Sequence, residues 1–492
     1  MSANDYKITV GIECHVQLNT KTKLFSAVDN DAVDKEPNAC TSPIDYALPG
    51  MLPVLNKAAV EKCVRAGLAM NCKINLTSRF DRKHYYYPDL PKGYQITQMY
   101  QPIIGAGVIH LPDGSEVHIE HAHLEEDAGK LTHFGGYSLV DLNRAGTPLL
   151  EIVTDLPGMS SAAQARLYCE ELRRLMMYAG VTNGDLYQGN MRFDVNVSVS
   201  KTEKLGTRTE TKNLNSFRSV ERVIEYEAKR QIALLEKGEK VIQETRGWND
   251  TTGKTTSQRD KEDAQDYRYM PEPDVPPIVL EQSYVDKVAA SMPMMPDEYR
   301  SKFGVLNLDD SEREAILNYP ILAERLNEAC NKDVRLAPRI AHWFSSILLA
   351  EENLDKDFAL ATASELTELS EMVEKKELSS TGAKAILMEM YDKKNTQKSP
   401  HQLAKEMNLL QENDEDALGA IIDEVLTAPE CAKAAEDVRN GEMKAIGFLV
   451  GQVMKKSKGK ANPATVNELI KNKLSQLKGA TRKCRTRNQL KQ

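Results

Sequence analysis

The sequence predicts an α+β protein with a mainly antiparallel-sheet N-terminal domain, 1–293, followed by an all-α helical connector, 294–408, and an all-α C-terminal tail domain, 409–492. Three observations predict this class. Short runs rich in Val, Ile, Tyr and Thr alternate with turn formers in the first part, as antiparallel strands do. Prolines then cluster in Pro271–Pro277 and end regular structure. Beyond them, apolar residues recur at helical spacing behind capping residues.

The N-terminal part mixes strands and helices. The runs 108–111 and 116–120 flank the turn former Pro112-Asp113-Gly114 and predict a β-hairpin. Apolar residues at helical spacing predict three helices, over 56–70, 160–178 and 216–236.

The C-terminal part carries helix-start signals. The predicted N-caps are Ser311 in a capping box with Glu314, Ser379 or Ser380, and Asn462 followed by Pro463 at the first helical position. A break near 395–400 separates the connector from the tail domain.

Charge is unevenly distributed along the chain. The formal net charge is -8, yet 12 Lys or Arg residues and one acid, Glu468, lie between Gln452 and the end. A basic end on an acidic body is compatible with an RNA-contacting appendage, and equally with a solvated tail. The 8 cysteines form no Cys-x-x-Cys pair, and no apolar run is long enough to span a membrane. We expect a cytoplasmic protein in a reducing compartment.

Acidic side chains alternate with apolar ones in three predicted strands. Glu13 and His15 share one face of the first strand, because side chains in a strand repeat every second residue. Asp194 and Glu210 occupy similar positions further along the chain. A buried carboxylate costs several kcal/mol unless it is paired or bound to a metal. The pattern therefore predicts either a cation-binding sheet face or interior ion pairs, with Arg192 and Lys212 as neutralising partners.

Two further segments could carry chemistry. The segment 79–95 combines cations, consecutive tyrosines and turn formers, which suits nucleotide or RNA binding but also an exposed loop. The segment His123–Lys130 places three acids ahead of Gly129, which is typical of a charged turn or edge as well as of a site. A P-loop motif is absent from the sequence, so phosphate binding would need another arrangement.

Long motifs in a fixed order resemble one family. They begin with Val10–Leu18, and the others are Leu48–Gly50, Leu52–Asn56, Phe80–Lys83, Tyr87–Gln95, His123–Lys130, Asp141–Leu149, Lys212–Phe217, Asp266–Tyr269, Gly447–Gln452 and Lys458–Pro463. Together they resemble the B subunits of the tRNA-dependent aspartyl/glutamyl-tRNA amidotransferases.

The resemblance implies an ATP-dependent ligase. Its N-terminal cradle domain would use ATP and Mg²⁺ to phosphorylate the side-chain carboxylate of mischarged Glu-tRNA(Gln) or Asp-tRNA(Asn). Ammonia from glutamine would then give the amide. The implied complex is a heterotrimer of this chain with a glutaminase (amidase) subunit and a small third subunit, without a membrane component. Mischarged tRNA is the further partner, and the helical domains would hold it.

The resemblance also implies site residues. Glu13, His15 and Glu126 match magnesium positions, with Asp194 and Glu210 beside them and Glu125 as a further candidate.

Side-chain chemistry and motif position supply the remaining roles. Lys83, Glu126 and Lys212 are the predicted catalytic residues, and Arg82, Lys83, Tyr85 and Lys212 are expected to bind ATP. Tyr85 to Tyr87 would stack on adenine or on the terminal adenosine of the tRNA.

One departure from the family concerns zinc. Many members hold a structural zinc with two Cys-x-x-Cys pairs near the first long loop, whereas that region here contains only Cys40. We therefore expect no zinc. Two other functions use similar residues. A glutamine-synthetase-like ligase acting on free glutamate would need the same metal and phosphate surface but no basic tail, and a non-catalytic RNA-binding adaptor would use the acids structurally.

Overall fold

The computed structural model describes residues 6–156, 158–260, 266–349, 361–391, 398–411, 415–440, 442–457, 461–463 and 465–475. The chain divides into two compact units, Met1–Glu298 and Tyr299–Gln492. The first contains the strands and the second is helical, which confirms the predicted α+β class. The division lies a few residues beyond the predicted 293/294 boundary, and the domain limits, including 408/409, stay predictions.

Strands occur in the first unit. In chain order they are β1 (Lys7–Gln17), β2 (Thr77–Ser78), β3 (Asp81–His84), β4 (Tyr94–Thr97), β5 (Gly107–His110), β6 (Glu116–Glu126), β7 (Lys130–Phe134), β8 (Tyr137–Asp141), β9 (Pro148–Thr154), β10 (Met191–Ser200), β11 (Thr209–Leu214), β12 (Glu244–Asn249), β13 (Lys254–Asp260), β14 (Met270–Pro271) and β15 (Ile278–Val279).

Helices occur in both units. They are α1 (Lys57–Ala69), α2 (Ala162–Tyr178), α3 (Phe217–Glu236), α4 (Gln282–Ala290), α5 (Pro296–Phe303), α6 (Asp310–Leu317), α7 (Pro320–Lys332), α8 (Ala337–Trp343), α9 (Ala363–Glu374), α10 (Ser380–Met390), α11 (Pro400–Glu406), α12 (Glu415–Thr427), α13 (Ala432–Asn440) and α14 (Ile446–Lys456). The three predicted N-terminal helices correspond to α1, α2 and α3 and are confirmed.

An eight-stranded sheet organises the first unit. Its strand order is β13-β12-β11-β10-β1-β9-β6-β5, with β1 near the centre. The pairings are antiparallel, except that β11 and β12 run parallel. The predicted hairpin is confirmed as β5–β6, with Val108 opposite His118. Smaller sheets join β14-β3-β4, β15-β2 and β7-β8.

The two faces of this sheet differ in chemistry. Ile12 and Cys14 of β1 are buried in the main hydrophobic core, together with Phe193 and Val195 of β10. Apolar residues of α1, α2 and α3 belong to the same core, so these helices cover that face. Because side chains alternate along a strand, the residues between them point to the opposite face. Those residues are the polar ones that the sequence singled out.

The small sheet β14-β3-β4 lies beside one end of β6. Thr97 of β4 donates from Oγ1 to Glu125 Oε2 at 3.2 Å, and the Ile96 amide donates to Glu126 Oε1 at 3.0 Å. Gln95 adds a bond from Nε2 to the Glu126 carbonyl at 2.7 Å. These bonds attach the small sheet to the strand that carries the acidic segment.

Capping in the second unit agrees in part with the sequence. Ser379 caps α10 by accepting from the Gly382 amide, as predicted. Asn462 Oδ1 accepts from the Thr465 amide at 3.4 Å, as its predicted N-cap role requires. The Ser311 prediction is wrong, because α6 begins earlier and has Asp309 at its N-cap. The acidic side chains of Asp310 and Glu312 lie in the first turn, where their charge favours a helix N-terminus at this position.

Candidate active site

Strand register brings the alternating polar residues together. In β1, Glu13 lies opposite Asp194 of β10, and His15 lies opposite Glu151 of β9. Glu151 is in turn opposite His123 of β6. Directly opposed residues share a face of the sheet. A polar band therefore crosses neighbouring strands from β11 to β6 on the face opposite the helices.

The first group in this band is the histidine cluster, defined as His15, Glu125 and Glu151. One ligand atom from each lies within 4.8 Å of the others. His15 Nε2 is 3.4 Å from Glu151 Oε2 and 3.9 Å from Glu125 Oε1. His123 adjoins the cluster, with Nε2 3.5 Å from Glu151 Oε2.

Neighbouring charges in the histidine cluster shift one another's protonation. Burial opposes protonation of His15, yet Glu151, through its hydrogen bond and its charge, raises the pKa of His15 to about 9. Burial also opposes ionisation of Glu151, but His123, His15 and Lys83 hold the pKa of its carboxyl well below the usual range. An ionised carboxylate between two imidazoles results.

The second group is the carboxylate cluster, defined as Glu13, Asp194 and Glu210. It also offers three ligand atoms within 4.8 Å of one another. Burial, together with the charges of Glu151 and Glu210, raises the pKa of the Glu13 carboxyl. Three carboxylates this close repel one another unless a cation lies among them.

Lys212 is the cation of the carboxylate cluster. Its Nζ lies 3.1 Å from Glu210 Oε1 and 3.2 Å from Asp194 Oδ2. Burial opposes its charge, but these two acids raise the pKa of Lys212. A register shift in the β10–β11 pairing turns the chain here, and Asn213, with φ of 60°, donates its amide to Asp194 Oδ1 at 2.7 Å.

Lys83 is the cation near the histidine cluster. It lies on β3, and its Nζ is 5.0 Å from the centroid of the Tyr267 ring. Burial opposes its charge, but Glu125, Tyr269 and Glu151 raise the pKa of Lys83. The small sheet thus presents one cation to the histidine cluster, while β11 presents another to the carboxylate cluster.

Two predicted site residues lie elsewhere. Glu126 follows Glu125 on β6 and belongs to neither cluster; its Oε1 pairs with Lys92 and accepts from the Ile96 amide. Glu125 joins the histidine cluster in place of Glu126, because adjacent residues of a strand face opposite ways. Arg82 is engaged in donating to Glu272 at 2.7 Å and to Asp274 at 3.0 Å. Its charge is neutralised by these two acids, and its role in binding ATP stays a prediction.

Sequence reasoning missed Glu151 and His123 as members of the site. Glu151 stands between Leu150 and Ile152, both of which are fully buried. An acid flanked by apolar residues in a strand is the signal that identified Glu13, and it would have found Glu151 too. His123 lay within a recognised segment, and its spacing of two from Glu125 is the pattern of a shared face.

The predicted tyrosines differ in exposure. Tyr86 and Tyr87 are exposed, whereas Tyr85 is half-buried, with its ring 6.1 Å from Tyr87 and 6.3 Å from Tyr267. Gly93 adopts φ of 72°, and a Cβ there would lie 3.1 Å from the Tyr86 ring. At this turn only glycine avoids both the steric strain of a positive φ and the close contact between a Cβ and the Tyr86 ring.

The donor set of both clusters suits hard cations. Carboxylate oxygens are the ligands that Mg²⁺ prefers. Beside the carboxylate cluster, Asn196 donates from Nδ2 to Glu13 Oε1 at 3.2 Å, while its buried Oδ1 has no hydrogen-bond partner among the described residues. That oxygen, together with the acids, could receive a cation or its water.

Among the described residues, no helix is both long enough and apolar enough to cross a bilayer.

Family models match most of the chain. The model described as the GatB/GatE catalytic domain matches residues 8–286, and the GatB domain model matches residues 324–474. The first therefore covers the sheet, both clusters and the small sheet.

Similar proteins extend this match along the chain. A protein of Thermotoga neapolitana is 41% identical over 481 residues, which are 94% of this chain and 98% of the relative. Identity is 44% over 478 residues to one of Thermodesulfovibrio yellowstonii, covering 94% and 98%, and 43% over 484 residues to one of Geotalea daltonii, covering 96% and 99%. All three are named as B subunits of aspartyl/glutamyl-tRNA(Asn/Gln) amidotransferase.

Proposed function

Because the chain belongs to the family of aspartyl/glutamyl-tRNA(Asn/Gln) amidotransferase B subunits, we propose that it activates the side-chain carboxylate of Glu-tRNA(Gln), Asp-tRNA(Asn) or both for amidation. Glutamine supplies the ammonia, which a glutaminase (amidase) subunit releases. A small third subunit completes the complex. The observation that carries the proposal is the pair of acidic clusters on one sheet face, with Lys83 beside the histidine cluster and Lys212 within the carboxylate cluster.

The reaction needs activation because oxide is a poor leaving group. In the proposed step, a carboxylate oxygen of the aminoacyl group takes the γ-phosphoryl group of ATP, and ADP departs. Ammonia then attacks the acyl carbon, phosphate leaves and the nitrogen loses a proton to give the amide. Both reactants of the first step are anions, so the protein must overcome their repulsion.

The chain supplies fixed charges for this task. Glu13, Asp194 and Glu210 would hold one Mg²⁺, and His15, Glu125 and Glu151 a second, which would neutralise phosphate charge. His15 is an uncommon magnesium ligand, so it would act through water or favour manganese.

Two lysines are proposed to contact the transferred group. The Lys83 and Lys212 ammoniums are held charged by neighbouring acids, and each is a point cation suited to phosphate. Lys83 would contact ATP, and Lys212 would contact the phosphoryl group in transit. Glu126, paired with Lys92, would contribute through the position of the small sheet rather than as a ligand.

Amide formation by the reconstituted complex tests the proposal. With ATP, glutamine and mischarged tRNA, the wild-type complex should form the amide, and omission of ATP should abolish it. Glu13→Ala and Glu210→Ala should each reduce transamidation by at least about 100-fold, because an unneutralised pair of anions cannot react. Glutaminase activity of the same complexes is the internal control and should survive.

Three outcomes would contradict the proposal. Amide formation on free glutamate without tRNA would indicate the ligase alternative. Failure of the complex to bind Mg²⁺-ATP would indicate a non-catalytic adaptor. Normal transamidation by either variant would remove that residue from the site.

A further inference from the structure

The motif Asp266–Tyr269 has received no role so far, although it lies beside the site. It precedes β14, which pairs with β3 through Met270 opposite Arg82. The His84 amide donates to the Tyr267 carbonyl at 2.9 Å, so the motif runs along β3 next to Lys83. It therefore forms part of the wall around the histidine cluster.

Five tyrosine rings form a continuous row along this wall, which we call the tyrosine ladder. In spatial order its members are Tyr87, Tyr85, Tyr267, Tyr269 and Tyr100. Successive centroids are 6.1, 6.3, 6.1 and 6.3 Å apart. Interplanar angles of 62° to 78° make each contact edge-to-face. The rings thus brace one another, and the exposed end rings, Tyr87 and Tyr100, keep surface available to a ligand.

Exposure increases toward both ends of the ladder. Tyr87 is 50% exposed and Tyr100 is 65% exposed, whereas Tyr85, Tyr267 and Tyr269 are half-buried. Large exposed aromatic rings at the mouth of a charged site are a common feature of nucleobase binding. The middle of the ladder reaches Lys83, whose Nζ lies over the Tyr267 ring.

Cations are interleaved with the rings. Arg268, between Tyr267 and Tyr269, is exposed and donates from Nη2 to the Tyr86 hydroxyl at 3.2 Å. Arg79 is also exposed, and its amide donates to the Gln101 carbonyl at 3.3 Å, next to Tyr100. Aromatic faces for bases together with cations for phosphates are what single-stranded nucleic acid requires.

Local hydrogen bonds hold the backbone of Arg268 in an uncommon conformation. Its φ of 42° is unusual for a residue other than glycine and is disfavoured sterically. Local bonds maintain it: the Arg268 amide donates to Asp266 Oδ1 at 3.0 Å, and its carbonyl lies 3.0 Å from His84 Nδ1. This conformation places the two flanking tyrosines in the ladder and the guanidinium outside it.

We propose that the tyrosine ladder binds the unpaired 3′-terminal nucleotides of the aminoacyl-tRNA by stacking, so that the attached amino acid reaches the clusters. This rests on the proposed function. Each base uses one ring face, so exposed rings at both ends suit consecutive nucleotides better than one adenine. The ladder thereby selects single-stranded RNA, with the adenine of ATP as the alternative ligand that the test must distinguish.

The test uses the complete complex with Tyr87→Ala and Tyr100→Ala, the exposed ends. Tyr87→Phe and Tyr100→Phe are matched controls that keep the ring. Three quantities are measured: the affinity for uncharged tRNA, either intact or trimmed of its last three nucleotides, the KM for charged tRNA and the KM for ATP. Wild-type complex should bind intact tRNA about tenfold more tightly than trimmed tRNA.

The alanine variants should lose most of that difference. They should also raise the KM for charged tRNA by about tenfold and leave the KM for ATP unchanged, while the phenylalanine variants resemble wild type. Alanine variants that keep the full penalty for trimming would overturn the proposal. A raised KM for ATP with an unchanged KM for tRNA would also overturn it and assign the ladder to the nucleotide.

Failure of the proposed function has a different signature. A wild-type complex that forms no amide on charged tRNA would reject that function. The trimming experiment needs no chemistry, so it would still report whether the ladder binds the 3′ end.

Discussion

Glu151 connects the two clusters. It belongs to the histidine cluster by distance, yet after burial its charge is the largest cause that raises the pKa of Glu13 in the carboxylate cluster. The same carboxylate is kept ionised by His123 and His15. A change at this one residue should therefore alter the charge state of both clusters.

Glu151→Gln tests this connection at the residue scale. The substitution keeps size and removes charge, so we expect the Mg²⁺ concentration needed for half-maximal transamidation to rise by about 10- to 100-fold. Titration of the reconstituted complex with Mg²⁺ at saturating ATP measures it. Glu120→Gln, an exposed acid on the same strand β6, is the control. An unchanged Mg²⁺ requirement for Glu151→Gln would exclude Glu151 from metal binding.

At the scale of elements, buried ion pairs hold short strands and loops near the site. The Arg82–Glu272 pair joins β3 to the residue after β14, and the Glu272 side chain is fully buried. The Lys23–Asp45 pair lies in the interior, with Nζ 3.0 Å from Oδ2. Asp45 Oδ2 also accepts from the Ser42 amide at 2.7 Å and so anchors an irregular loop.

The Arg82–Glu272 pair can be examined by a double-mutant cycle. Arg82→Gln should reduce the free energy of unfolding by about 3 kcal/mol, because it leaves the fully buried Glu272 carboxylate without its cation. Glu272→Gln should cost less, because Arg82 is partly exposed and keeps its ion pair with Asp274. The double variant should lose little more stability than Arg82→Gln alone, because the two residues share one ion pair. The two single variants should reduce activity alike. Denaturant unfolding and KM for ATP measure these effects. A KM for ATP that rises in Arg82→Gln but not in Glu272→Gln would support the predicted contact between Arg82 and phosphate.

The irregular loop around Cys40, which Asp45 anchors, gives a second prediction at the scale of elements. Lys23→Met should reduce the free energy of unfolding by about 3 kcal/mol because it leaves Asp45 charged and buried. The double variant Lys23→Met with Asp45→Asn should recover a large part of that loss. Thermal unfolding compares the three proteins. Equal stability of Lys23→Met and wild type would show that the pair does not anchor the loop. The predicted absence of zinc stays a prediction.

At the scale of the whole molecule, the chain separates a sheet-rich unit from a helical unit. Within the helical unit, one hydrophobic cluster has all its buried members, as far as the structure describes the chain, between Leu418 and Leu474. A cluster that closes on itself can be removed without opening the core of the sheet. The predicted tail domain, 409–492, includes it.

Deletion of residues 409–492 should weaken tRNA binding. We expect the KM for charged tRNA to rise by at least about tenfold, because basic residues that contact phosphates are lost, while tRNA-independent ATP hydrolysis changes less. Steady-state kinetics at two salt concentrations measures this, since lost phosphate contacts also reduce the salt dependence. An unchanged KM would leave the tail domain without its proposed role. The basic residues beyond 475 lie outside the described residues.

Local sequence patterns determined which residues share a strand face, where three helices lie and which donor atoms the site contains. The period of two placed Glu13 with His15, and the helical period predicted α1, α2 and α3. Both follow from backbone geometry over a few residues, so they can be derived from the sequence alone. The class of donor atoms, carboxylate and imidazole, follows from the same segments.

Only the tertiary structure decided which acids meet. Glu125 rather than Glu126 joins a cluster, Glu151 enters from another strand, and Arg82 is neutralised by Glu272. Each outcome depends on the register between strands that are distant in the chain, as for Glu13 opposite Asp194. A shift of one residue in the register would move the side chains of a strand to the opposite face of the sheet. The register is set by burial across the whole sheet, and no short segment of sequence contains that information.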